Sequence, residues 1–191
     1  NNVADHINAY SQGYSFVTGP INYTESHDET RLIYQATEFQ NQTFEEAYNR
    51  SKLSATILLT SHGVPMIYSG QELGQSAPTR DSGGFPIQQP IQWDNLEIDL
   101  VQDLNNHYKT MIDLRKNTAV LKEPPLEIKY LNNNDKCFVY WRADQNEKVV
   151  IAINFDTTEN FLDLEFPNSG DWTNVLNDTQ ISIDSNWYGG F

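Results

Sequence analysis

Apolar positions recur at helical spacing in two stretches of the chain and condense into short runs elsewhere. Phe44, Ala47, Tyr48, Ala55, Leu58 and Leu59 fall mostly on one face of a helix predicted over about Phe44 to Leu59. Thr43 with Glu46 three residues later is a capping box: the hydroxyl takes an orphan amide and the carboxylate reaches back. Gly63 is the expected stop. Val101, Leu104, Tyr108, Met111 and Ile112 mark a second helix, with Lys116 in its last turn and Asn117 as C-cap. Between them Val64-Pro65-Met66-Ile67-Tyr68 is apolar without a period of two, the mark of a strand covered on both faces. Upstream, Pro20-Ile21-Asn22-Tyr23 reads as the end of a strand, with a helix starting over Glu29 to Tyr34. The order strand, helix, strand, helix implies a parallel sheet. A loop from about Gln71 to Asn95 holds three prolines and Gly83-Gly84, and loops of that length are usually functional or disordered.

The pattern changes at Glu123-Pro124-Pro125, which divides the chain into 1–123 and 124–191. Beyond it the expected strands are Glu127–Leu131, Cys137–Arg142 and Lys148–Phe155, joined by Asn/Asp-rich turns. Weaker strands are Phe161–Phe166, Trp172–Leu176 and Ile181–Asp184. Leu162, Leu164 and Phe166 alternate with Asp163 and Glu165, as in a half-buried strand. Such a series predicts an antiparallel β-sandwich. The fold class is therefore α/β followed by all-β.

Composition narrows the partners. Twelve Lys and Arg against 26 Asp and Glu give a net charge of −14. Such a chain repels phosphate backbones and lacks the basic clusters that hold proteins to anionic membranes, so no nucleic-acid or membrane partner is expected. The longest wholly apolar run, Val149–Ile153, is far short of the ~20 residues of a membrane helix. The single cysteine, Cys137, excludes an intrachain disulfide and leaves the compartment undetermined. His6, His27, His62 and His107 show no metal spacing, so no metal site is expected.

Chemistry concentrates between Glu25 and Arg31. Three carboxylates (Glu25, Asp28, Glu29), an imidazole (His27) and a guanidinium (Arg31) lie within seven residues, where a parallel strand ends. That is the edge on which α/β barrels place their sites. On composition alone the segment reads equally as a helix start, with Ser26 or Asp28 as cap and Glu29 on the dipole.

The run Asn22 to Arg31 resembles the seventh-strand motif of the α-amylase superfamily, glycoside hydrolase family 13, with its Asn-His-Asp core. Gly63-Val64-Pro65-Met66-Ile67-Tyr68-Ser69-Gly70-Gln71-Glu72 is similar to that family's eighth-strand signature. Pro90-Ile91-Gln92-Trp93-Asp94 and the helix His107–Lys116 resemble the segments that follow. The resemblance implies strands 7 and 8 and helices of a (β/α)8 TIM barrel, followed by the family's C-terminal β-sandwich. It implies an α-glucan substrate with α-1,4 or α-1,6 linkages and retaining cleavage. Asp28 would be the catalytic residue that stabilises the oxocarbenium-like transition state, and His27 a ligand of the same sugar. Arg31 matches a polar position more weakly and is carried over as a substrate contact. Trp93 either stacks on a sugar or plugs the barrel end. Glu72 is read as organising hydrogen bonds. Calcium is common in the family, and Asp81 and Asp94 are the loop carboxylates to consider, but no EF-hand-like pattern supports a site.

The family's fourth- and fifth-strand motifs, which carry the nucleophile and the acid/base, are not present in this sequence, nor is its third-strand motif. Asp103–His107 imitates the last but is one residue short and lies in the second helix. The expectation is the C-terminal part of a longer enzyme, inactive as an isolated chain, that pairs with the preceding barrel segments or with itself. The chain is also expected to stop before a closing sandwich strand. The family usually has Asn where this chain has Ser26; some branching-enzyme members also carry Ser, so hydrolase and branching enzyme stay unseparated. Two other readings remain open. One is a non-catalytic relative, such as the amino-acid transporter heavy chains. The other is a carbohydrate-binding sandwich with Trp172 and Trp187 as a platform, although edge packing suits those two residues better. Trp141 is expected in the sandwich core.

Overall fold

A computed structural model of the chain describes residues 3–185 and the backbone of 187–188. Its contacts divide the chain into two compact units. One comprises Ile21–Leu59 and Val64–Asp113; the other comprises Asn1–Pro20, Thr60–Gly63 and Leu114–Phe191. The units therefore interleave along the sequence.

The unit built on Ile21–Leu59 holds the parallel pair. Strand β1 (Ile21–Asn22) pairs with β2 (Val64–Pro65), Ile21 opposite Val64 and Asn22 opposite Pro65. The strands are shorter than the apolar runs that announce them. Pro65 has no amide to donate, and the ladder closes with the Met66 amide on the Asn22 carbonyl at 2.8 Å. The capping box forms as the sequence predicts. Thr43 Oγ1 accepts from the Glu46 amide, and the Glu46 carboxylate accepts from the Thr43 amide at 2.7 Å. Helix α3 (Phe44–Thr60) follows, burying Ala47, Tyr48, Ala55, Leu58 and Leu59. Helix α4 (Asp99–Asn117) buries Val101, Leu104, Tyr108 and Met111. His107, the last residue of the imitation motif, bonds Thr56 through Nε2 at 2.9 Å.

The helix expected from Glu29 begins later, as α2 (Leu32–Tyr34), and continues as a π-helical turn over Gln35–Phe39. Arg31 before it is extended, with φ −53° and ψ 140°. The segment Ser26–Thr30 is thus free of helix and forms its own turn.

The other unit contains helix α1 (Val3–Ile7) and an all-β array. Strands β3 (Glu127–Asn132), β4 (Cys137–Ala143) and β5 (Lys148–Asn154) form an antiparallel sheet with β4 in the middle. Strand β6 (Leu164–Glu165) pairs with β9 (Trp187–Tyr188), and β7 (Gly170–Asn174) pairs with β8 (Thr179–Ile183), both antiparallel. The Val139 face of β4 packs on Leu164, Phe166 and Ile183, the sheet-on-sheet contact of a sandwich. Trp141 is buried, donates to the Glu165 carbonyl at 3.1 Å and carries Lys129 over its ring. Trp172 packs edge-on against Phe166. The Trp187 side chain and the residues after Tyr188 lie outside the described residues, so the platform and closing-strand expectations fall there.

Residues Phe138, Tyr140 and Arg142 alternate with Val139 and Trp141 on β4 and so share its other face. Arg142 is wholly buried and donates to four backbone carbonyls, those of Thr60, Val120, Glu123 and Pro125. Burial, with help from the neighbouring Arg115, pulls its guanidinium down to about 10. His62 lies in the same unit, with Nδ1 accepting from the Ala9 amide at 3.3 Å and Nε2 on the Pro124 carbonyl at 3.0 Å. Burial, then the charges of Arg142 and Arg115, lowers its imidazole to about 4, against the opposing pull of the Pro124 carbonyl.

The unfolded chain therefore takes up a proton on His62 near pH 6.5, while the folded chain resists it down to about 4. Stability is full above pH 6.5 and falls as pH drops through that window, by up to about 3 kcal/mol. Urea unfolding at pH 7 and pH 4.5 should show this loss, and His62→Gln should reduce it. An unchanged loss in His62→Gln assigns it to other groups.

Candidate active-site edge

The carboxyl ends of β1 and β2 lead into two loops, and Arg31 ties them together. Its Nη1 donates to Glu25 Oε2 at 3.0 Å, its Nη2 to the Ser69 carbonyl at 2.8 Å and its Nε to Gln89 Oε1 at 2.7 Å. The guanidinium lies 4.0 Å above the Tyr68 ring, a cation–π contact. Arg31 is 0% exposed. The sequence suggests Arg31 as a sugar contact; in the structure the group is buried and each of its three nitrogens donates to a protein acceptor. It holds the loops that carry Glu25, Ser69 and Gln89 together.

Glu25 is the other half of this arrangement. Its Oε1 accepts from the Leu32 amide at 2.9 Å, which satisfies an orphan donor at the start of α2. Burial pushes its carboxyl up, opposed by the Leu32 amide and by Arg31. Gln71 adds a second tie. It donates to Thr24 Oγ1 at 2.6 Å and to Tyr108 Oη at 2.8 Å, and accepts from the Tyr68 amide at 3.1 Å. The turn Gln71–Leu73 is entered through Gly70 at φ 84°. That left-handed φ favours glycine, and a Cβ at Gly70 would also force the Gln75 side chain aside.

Between these anchors the chain turns outward. Ser26 is buried, accepts from the Asp28 amide at 3.1 Å and donates to the Glu29 carboxylate. The turn leaves His27 and Asp28 open to solvent, with side chains 79% and 71% exposed. His27 Nε2 lies 3.5 Å from Asp28 Oδ2. The two residues singled out by the sequence are thus adjacent and outward-facing, on the loop after a parallel strand. Trp93 is 62% exposed at the start of the 3₁₀ turn Trp93–Glu97. Its loop is held by Gln75, which donates to the Pro90 carbonyl at 3.0 Å, while Gln89 reaches Arg31. Glu72 is half-buried between the two buried residues Gln71 and Leu73.

The sequence reading missed Glu25 as an anchor, and with it Gln71 and Gln89. Tyr68 and Gln71 sit in the eighth-strand signature, but nothing in their spacing says that they meet Arg31 and Thr24. Asp81 Oδ1 accepts from the Gly83 and Phe85 amides. Among the described residues no three His, Cys, Asp or Glu converge as metal ligands, and no helix is long and apolar enough to cross a membrane.

Residues 3–98 match the α-amylase catalytic-domain model, and residues 128–190 match the α-amylase C-terminal all-β domain. The chain belongs to the α-amylase family. A cyclomaltodextrinase from a Bacillus species is 29% identical over 136 residues, 71% of this chain but 22% of that protein. A 4-α-glucanotransferase from Thermotoga neapolitana is 36% identical over 74 residues, 39% of this chain and 15% of that protein. Among solved structures, a pullulanase from Anoxybacillus sp. LM18-11 complexed with maltotetraose superposes with a TM-score of 0.74 at 16% identity. That match covers 97% of this chain and 28% of the pullulanase. The chain thus spans well under half the length of the curated relatives it matches, 22% of the cyclomaltodextrinase among them. These relatives are glycoside hydrolases and glucan transferases of the α-amylase family.

Breaking the Glu25–Arg31 pair should destabilise the chain strongly. Arg31→Met leaves a buried carboxylate without its cation and should cost about 3–5 kcal/mol. The double variant Glu25→Gln/Arg31→Met should recover much of that. Denaturant midpoints measure both; a double variant no better than Arg31→Met would show that the pair is not the source of the loss.

Proposed function

We propose that this chain contributes the transition-state-stabilising half of an α-glucan site, with Asp28 facing the cationic sugar ring and His27 binding the same sugar. The observation that carries the reading is the exposed His27–Asp28 pair, held on the loop after β1 by wholly buried anchors. In retaining glycoside cleavage, positive charge develops on the ring, and contacts to its hydroxyls tighten in the transition state. A fixed carboxylate is suited to both tasks, since it stabilises developing charge without first reorganising. An acidic chain does not repel a neutral glucan. Family membership supports glucan chemistry, and the relatives support either hydrolysis or glucan transfer.

Retaining cleavage also needs a nucleophile and an acid/base about 5 Å apart. The family motifs for both are not in this sequence, so the 191-residue chain alone binds without cleaving. Trp93 is the candidate stacking surface for a neighbouring sugar ring.

Saturation-transfer NMR with maltotriose tests the site. The purified chain should give transfer to sugar protons that falls sharply in Asp28→Asn and His27→Ala. It should release no reducing sugar from a chromogenic maltooligosaccharide. Transfer unchanged in both variants, or cleavage by the isolated chain, overturns the reading.

A further inference from the structure

Phe85 is 70% exposed and sits on a hydrogen-bonded hairpin turn. Arg80 and Pro86 form an antiparallel bridge. The Asp81 amide donates to the Phe85 carbonyl at 2.9 Å, and the Gly84 amide to the Asp81 carbonyl at 3.0 Å. Asp81 Oδ1 accepts from the Gly83 and Phe85 amides, both at 2.9 Å, and Arg80 Nη1 donates to the Gly84 carbonyl at 3.0 Å. Gly84, at φ 81°, makes the reversal possible. A methyl added to Gly83 would meet the Phe85 ring at 3.2 Å, so the ring lies close over that glycine.

The base of this hairpin is bonded to the residues that directly follow Asp28. The Arg31 amide donates to the Ala77 carbonyl at 3.2 Å, and the Thr30 and Thr79 hydroxyls meet at 3.4 Å. Gln89 bridges the far side, accepting from Arg31 Nε and donating to the Pro78 carbonyl at 3.1 Å. Single exposed apolar side chains are ordinary on protein surfaces. An aromatic tip on a hydrogen-bonded hairpin whose base is bonded to the residues after Asp28 is a different case, because the hairpin is tied to that turn.

We propose that Phe85 is a substrate-positioning residue, whose ring packs on the apolar face of a sugar next to the one held at Asp28. The proposal rests on the reading of His27 and Asp28 as a glucan site and names a further contact within it. The aromatic face removes C–H surface of the sugar from water, while hydroxyls at the ring edge stay solvated. The hairpin's hydrogen bonds are already made without ligand, so little ordering is required on binding.

The test is titration of the 191-residue chain with maltotriose, read by the chemical shift of the assigned Phe85 ring and by affinity. The ring signal should move on binding. Phe85→Ala should weaken affinity about three- to tenfold. Gly83→Ala, which displaces the ring without removing it, should weaken affinity less, and Phe161→Ala, exposed in the other unit, should not change it. Affinity lowered by Asp28→Asn but untouched by Phe85→Ala overturns this inference and leaves the site reading standing. Affinity lowered by Phe85→Ala but untouched by Asp28→Asn overturns the site reading, and with it the shared site proposed here. No maltotriose binding at all overturns both.

Discussion

The buried pair of Arg31 and Glu25 fixes the loop that carries His27 and Asp28. Taking a guanidinium and a carboxylate out of water is expensive, and attraction alone seldom compensates for it. Here the remaining valences are also met. Glu25 accepts the first amide of α2 as well as Arg31, and Arg31 meets a carbonyl, an amide oxygen and an aromatic face. Each partner comes from a different stretch: the loop after β1, the loop after β2, and the segment leading to Trp93. One planar group with donors fixed in a fork therefore sets the mutual position of three loops. Lysine has the charge but not the fork. The exposed His27–Asp28 turn inherits its geometry from these buried groups, an arrangement that suits a preorganised site.

The interleaved unit solves its burial problem differently. Arg142 is met by four carbonyl oxygens, of residues at the end of α3 and along the approach to β3. Those carbonyls lie where the chain leaves helices and turns, positions whose acceptors are otherwise hard to satisfy away from water. The arrangement gains connectivity at the expense of tolerance to further positive charge. His62, bonded between Ala9 and Pro124 in the same unit, stays neutral well below its ordinary range chiefly through burial, with the charge of Arg142 adding to it.

Local signals in the sequence were read well, and long-range ones were not. The Thr43–Glu46 box, the faces of α3 and α4, and the hairpins of β3 to β5 depend on neighbours within a few residues. The parallel pairing of β1 with β2 followed from the alternation of strand and helix. The late start of α2 did not, because it is set by Glu25 reaching the Leu32 amide seven residues away. The same holds for Arg31. Its residue type at a motif position suggested a sugar contact, but its burial comes from Ser69 and Gln89, 38 and 58 residues further on. His27 and Asp28 stand out as candidates because the motif is contiguous. Phe85 carried no motif, and its exposure is a property of the folded turn alone.

The division among relatives between cyclomaltodextrinase and 4-α-glucanotransferase is compatible with the role proposed for Asp28. Retaining chemistry forms a covalent intermediate that is then resolved by water or by the hydroxyl of another sugar. Stabilising the cationic ring lowers the barriers into and out of that intermediate alike. An aspartate in that role serves both outcomes and discriminates neither. Discrimination depends on whether an acceptor sugar is held long enough to compete with water at its bulk concentration. That competition is governed by surfaces that bind neighbouring rings, such as exposed aromatics on loops, and not by the carboxylate. A chain can therefore keep the His27–Asp28 turn unchanged while its loop residues shift the balance between hydrolysis and transfer.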